Sequence, residues 1–200
     1  MNQPLHAIII GIDNHADRFD RVHLFEAETG YLCVLKRKST KKVSSNNLDL
    51  FQEIEMVIEK KNEYDIGFVK EFTTLNSHAG IGKNYTSFDN ASRFCRVIHL
   101  NARHMPHPAD VFELLKMSLQ AWDVKPHPDV TFFKALYRLA YEDGFPVKEG
   151  WLLQLNKTEQ QVAKSVLYQK IDEQEPDANA VKLLAENLMN WLTHHQDFLF

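Results

Sequence analysis

The spacing of the apolar residues changes once along this chain, near residue 76, and that change limits the fold more than any other feature. Before it, β-branched and apolar residues come in short segments at 5–12, 21–26, 31–36, 50–59 and 66–75, separated by turn residues. Ile8, Ile10 and Ile12 alternate with Ile9 and Gly11, and Val22 and Leu24 alternate with Arg21 and His23. That period of two is the signature of half-buried strands. Glu28-Thr29-Gly30 reads as a hairpin turn between the second and third of them. Five short strands in an open sheet would leave two unpaired edges and too little buried surface, so the pattern predicts a small closed barrel of the OB type.

Residues 76–83, with Ser77, Gly80 and Gly82, break the strand pattern and mark the expected boundary between an OB-fold domain at 1–78 and an all-helical domain at 79–200. The predicted class is therefore α+β. Phe88, Ala91, Cys95 and Ile98 keep one helical face, as do Val111, Leu114, Leu115, Ser118, Leu119 and Trp122. Phe132, Phe133, Leu136 and Ala140 form a third stripe that ends at Gly144, and Val181, Leu184, Ala185, Leu188 and Leu192 form another. A further helix is expected over 158–171, where Thr158 and Gln161 have capping-box spacing. Asp110, Asp129 and Asp177 stand where cap or first-turn acids belong.

Hydrophobic residues make up 44% of the chain and charged residues 25%, so order is expected throughout. A formal charge of −4 gives no global attraction to phosphate; any surface for nucleic acid has to be a local cluster of cations. Cys33 and Cys95 are the only cysteines, too few for a disulfide framework or a four-thiolate zinc site, which fits a reducing cytoplasm. The early apolar run at 5–12 carries His6 and lacks a basic leader, and no stretch has the roughly 18–20 apolar residues needed to cross a bilayer.

The most basic stretch is Lys36-Arg37-Lys38-Ser39-Thr40-Lys41-Lys42, running out of the third strand. On the rim of a barrel, such cations gathered onto one solvent-facing ridge would neutralise phosphates and release counterions; the plainer reading is a solvated loop. Arg18 and Arg21 flank the second strand and extend the same surface, while Phe25 and Tyr31 are candidates either for base stacking or for the core. Ala79-Gly80-Ile81-Gly82-Lys83 fails as a phosphate loop, because Ser77 stands where a Gly is needed and Asn84 where a Ser or Thr is needed. His99, His104 and His107 cluster without a carboxylate or Cys at ligand spacing, and the His194-His195 pair carries less. Both cysteines read as buried small hydrophobes. No nucleophile elbow or Ser-His-Asp arrangement appears, so neither catalysis nor a cofactor is expected.

In the order of its elements the chain resembles the bacterial RecO family of recombination mediators over about residues 5–147. The first half is similar to that family's OB-fold: an opening apolar strand at 7–12, the acidic turn at 17–20, Val22-His23-Leu24-Phe25, Thr29-Gly30, and the basic exit Leu35-Lys36-Arg37-Lys38. The second half matches its helical domain in Pro106-His107-Pro108, Val111-Phe112-Glu113-Leu114-Leu115, Leu119, Phe132-Phe133 to Leu139 and Gly144-Phe145-Pro146. Two departures stand out. The family often carries a four-Cys zinc module after its Gly-x-Pro element, whereas this chain continues Val147-Lys148-Glu149-Gly150-Trp151, so zinc is not expected. The family's Ala-Lys-Gly at the end of the third strand is Lys36-Arg37-Lys38 here.

The resemblance implies a protein that binds single- and double-stranded DNA, anneals complementary strands and helps load recombinase. Its implied partners are RecR and the acidic tail of the single-strand-binding protein, with Lys134 and Arg138, one helical turn apart, as candidates for holding that tail. The leading expectation is a DNA-repair accessory protein that grips phosphates through the basic loop with little base specificity. The alternative is a protein-interaction module without direct DNA binding, and the third class is a small hydrolase built around the histidines or a cysteine.

Overall fold

The computed structural model describes residues 4–38, 47–60, 62, 66–196 and 198–200. Five strands, β1 (Leu5–Ala16), β2 (Phe19–Glu26), β3 (Gly30–Arg37), β4 (Glu53–Glu59) and β5 (Gly67–Asn76), close into a barrel in the order β1-β2-β3-β5-β4. All neighbours are antiparallel except β3 and β5, and β1 completes the ring by pairing with β4. Closure gives both edges of the early meander a hydrogen-bonding partner, which is the reason a sheet this small is viable. The barrel is followed by α1 (Tyr85–Asn101), α2 (Pro108–Val124), α3 (Pro128–Glu142), α4 (Lys157–Tyr168) and α5 (Ala178–Gln196), so the architecture is α+β, barrel first and helices after.

β1 departs from the half-buried strand expected of it. Ala7 and Ile9 point into the barrel with Val22, Leu24, Val34, Ile54 and Met56, whereas Ile8 and Ile10 point outward and are buried as well. They meet Phe25, Phe51, Ile98, Val111, Phe112 and Leu115 in a second cluster that runs through the helices. One wall of the barrel is therefore an internal surface, and the unbroken Ile8-Ile9-Ile10 run is the pattern of a strand covered on both sides. The chain crosses from barrel to helices over residues 77–80, and the short 3-10 turn that follows buries Ile81 completely. Among the described residues no helix is long and apolar enough to cross a membrane.

Polar contacts fasten this junction. Glu53, almost fully buried, accepts from Lys116 Nζ at 2.7 Å and lies 2.8 Å from His6 Nε2. Burial alone would raise its pKa, but the bonds from Lys116 and His6 outweigh it and hold the carboxyl below its ordinary value. His78 sits beside this pair at 2% exposure, and neither ring nitrogen has a hydrogen-bond partner. Burial lowers its pKa, with Asp123 and Glu53 opposing. The unfolded chain therefore takes up protons more readily than the fold below the ordinary histidine value of about 6.5. Stability present at pH 8 is lost as the pH falls through that value, with half-buried His99, also lowered by burial, adding to the loss. Melting wild type and His78→Asn at pH 8 and pH 5 checks this. Asn tolerates the positive φ of 46° at this position, and the variant is expected to lose less melting temperature on acidification. Equal losses would clear His78.

Further along the chain, the capping box expected at Thr158 and Gln161 lies two residues earlier. Asn156 accepts from the Glu159 N–H, and Glu159 accepts from the Asn156 N–H. Asn is the better N-cap, and starting the helix at Lys157 places Val162, Ala163 and Val166 toward the core. Asp177 caps α5 through the Asn179 N–H at 2.9 Å, as its position in the sequence suggests.

Candidate nucleic-acid interface

Strand alternation divides the basic run. Leu32 and Val34 face into the barrel, and Lys36 follows them inward, its ammonium 4.3 Å from the centre of the Phe72 ring. Burial lowers the Lys36 pKa, and Asp20, its partner across the β2–β3 ladder, acts in the opposite sense. Arg37 emerges on the outer wall and is exposed. Lys38 turns back to Asn14 Oδ1 at 2.8 Å and Asp20 Oδ1 at 3.5 Å. The three described cations therefore occupy the mouth and the wall rather than one ridge. Lys41 and Lys42 lie outside the described residues.

Phe19 stands directly opposite Arg37, and Phe68 lies beside Leu35 on β5. Their rings meet edge to face at 5.6 Å, and Phe68 is 39% exposed. Arg18, exposed in the β1–β2 turn, is tied to the same corner because its carbonyl accepts the Lys38 N–H at 2.9 Å. Arg21 projects from the outer wall two residues beyond Phe19, with Nη2 3.0 Å from His15 Nδ1. An aromatic pair with Arg21 and Arg37 on the same face thus occupies the β2–β3–β5 wall, and Arg18 stands in the turn at its corner. Phe19 and Phe68 are not among the residues expected at the site, although extending the alternation back from Arg21 puts Phe19 on its face.

The same wall continues into a chain of polar rings. Asp13 Oδ2 lies 2.8 Å from His23 Nε2, and His23 Nδ1 lies 2.7 Å from Tyr31 Oη. His99 of α1 stacks on Tyr31 at 5.0 Å and contacts His23 at 4.6 Å. Burial pushes the Tyr31 phenol up to about 12, Cys33 adds to the rise, and the charges of Arg21 and Arg103 act against it. Tyr31 is therefore half-buried and engaged. Phe25, the other stacking candidate, is fully buried in the shared core and unavailable to a base. Of the remaining histidines in that cluster, His104 and His107 are exposed, and no group of three metal-ligating side chains occurs among the described residues.

The two helical candidates are already occupied. Lys134 Nζ donates to the carbonyls of Val166, Leu167 and Gln169 at 3.0, 3.1 and 2.6 Å, closing the C-terminus of α4. Arg138 pairs with Glu142 at 2.7 Å. Beside them Tyr137, Tyr141, Leu167 and Tyr168 line a largely apolar hollow of about 330 Å³ between α3 and α4. No protein-family model matches the chain, and a search of curated proteins finds no match.

Proposed function

We propose that this chain is a DNA-repair and recombination accessory protein that binds single- and double-stranded DNA without catalysis. On this reading it anneals complementary strands and assists recombinase loading. The observation that carries the binding step is the Phe19–Phe68 pair on the outer wall of a closed five-stranded barrel, with Arg21 and Arg37 on the same face and Arg18 in the adjoining turn. Aromatic faces accept any base, and guanidinium groups accept any phosphate, so the site suits a strand of arbitrary sequence. The annealing and loading roles, and the partners RecR and the single-strand-binding protein, rest on the resemblance to the RecO family. For the tail of that coating protein, the tyrosine-lined hollow beside Lys134 and Arg138 offers apolar contacts, both cations being engaged within the fold.

The test is the anisotropy of a labelled 30-nucleotide single strand with wild type and with Phe68→Ala/Arg37→Ala. Losing one stacked base costs about 1–3 kcal/mol and one phosphate contact lowers the salt slope by about one, so the double variant is expected to bind at least about tenfold more weakly with a shallower slope. Equal affinity and slope would remove the wall from consideration.

A further inference from the structure

The inward positions of β2 and β3 read Leu24, Val22, Asp20 and Leu32, Val34, Lys36, so the apolar lining of the barrel gives way at its open end to a facing acid and base. There the mouth widens into a hollow of about 380 Å³. Ile12, Val22 and Leu48 form its floor, and among the described residues Lys36, Arg37 and Lys38 line its rim with one carboxylate, Asp20. Below the floor Ala7, Ile9, Leu24 and Met56 are at most 1% exposed, so nothing threads through the barrel. Asp20 faces both ammonium groups, so the described residues of the rim carry more positive than negative charge on a molecule that is negative overall.

From this geometry we infer that the barrel mouth is a nucleotide pocket. It takes one nucleotide unit with the phosphate on the Lys36–Lys38 rim and the base against the apolar floor. The volume lies in the range of about 300–1,000 Å³ usual for small-ligand sites, and the dead end admits a strand terminus or an extruded unit but no continuous strand. Lys36 is the selective element. Its ammonium is half-buried against Phe72, where burial makes the charge costly, and an arriving phosphate restores the compensation that water supplied. This pocket rests on the nucleic-acid reading; Phe19 and Phe68 of the outer wall face the other side of the sheet, and Arg37 borders both.

Calorimetric titration of the full chain with thymidine 5′-monophosphate, thymidine and inorganic phosphate tests the inference. Wild type is expected to bind the monophosphate at least about tenfold more tightly than either fragment, because thymidine forfeits the charged rim contact and inorganic phosphate the apolar floor contact, each worth about that factor. Lys36→Met keeps the stem over Phe72 and removes the charge. It should lose about tenfold for the monophosphate while binding the 30-nucleotide strand within about twofold of wild type. Asp20→Asn should act in the opposite direction, tightening the monophosphate roughly two- to fivefold by removing the competing carboxylate. Inorganic phosphate binding as tightly as the monophosphate would overturn the pocket, as would monophosphate affinity unchanged in Lys36→Met. If the strand binds but the monophosphate does not, the pocket falls and the wall stands. If the monophosphate binds but the strand does not, the DNA reading falls and a free-nucleotide site remains. A 5′-phosphorylated strand competing better than its unphosphorylated twin would assign the occupant to strand ends; equal competition would assign it to extruded units.

Discussion

Truncating Phe25 to alanine is expected to cost about 3–5 kcal/mol and to loosen the barrel and the helices together. Phe25 is fully buried, yet it points away from the barrel interior, into the cluster formed with Ile8, Ile10, Phe51 and the inner faces of the helices. Its loss leaves a void in the one region both layers share. Against a total stability of about 5–15 kcal/mol, that is enough to populate the unfolded chain at physiological temperature. Trp122, Trp151 and Trp191 all lie in the helical part, so their fluorescence reports that layer while amide exchange in β2 and β3 reports the barrel. Both probes should shift to the same lower midpoint. Barrel amides that open earlier while the tryptophan transition stays at its wild-type position would mean two independent cores.

Trp151→Ala should lose a similar amount, about 3–5 kcal/mol, in urea unfolding. The indole is 1% exposed and lies in a π-helical turn, Val147–Trp151, with Phe133 at 5.9 Å and Tyr137 at 6.0 Å. Its Nε1 donates to Asn187 Oδ1 of α5 at 2.8 Å, so one side chain joins the connection after α3 to the C-terminal helix. Gly150 beside it has no room for a side chain, because a Cβ there would stand 2.8 Å from the Trp191 ring. Trp151→Phe keeps most of the apolar contact and leaves only the exposed Asn187 without its donor, so it should recover more than half of the loss. An alanine variant within about 1 kcal/mol of wild type would show that the turn closes over the gap.

Much of the barrel was legible because strand alternation and turn chemistry are local. All five strands fall within a few residues of their expected places, and the helical stripes of α2, α3 and α5 need only a period of 3.6. What was hidden depends on long-range packing. A run such as Ile8-Ile9-Ile10 states that both faces are apolar but not what covers the second face, and the cover here is α1 and α2, about a hundred residues away. The candidate site was legible in the same uneven way. Counting cations located Lys36, Arg37 and Lys38, but only their positions on a closed sheet put Lys36 into the mouth and Arg37 onto the wall. Lys134 resembled a free surface cation because the α4 carbonyls it serves are 32 and more residues ahead.

The ring order of the strands also governs how the chain is made. β1 acquires its second neighbour only when β4 exists, and β3 waits for β5, so β1 carries a bare edge while residues 38–59 are being synthesised and β3 for longer still. At about 5–20 residues per second that interval lasts a few seconds. The waiting β1 contains Ala7-Ile8-Ile9-Ile10-Gly11-Ile12, an uncharged segment of high strand propensity of the kind that seeds intermolecular pairing. Nascent or refolding chains of this protein should therefore be most prone to clumping before β4 arrives, with the yield falling as their concentration rises.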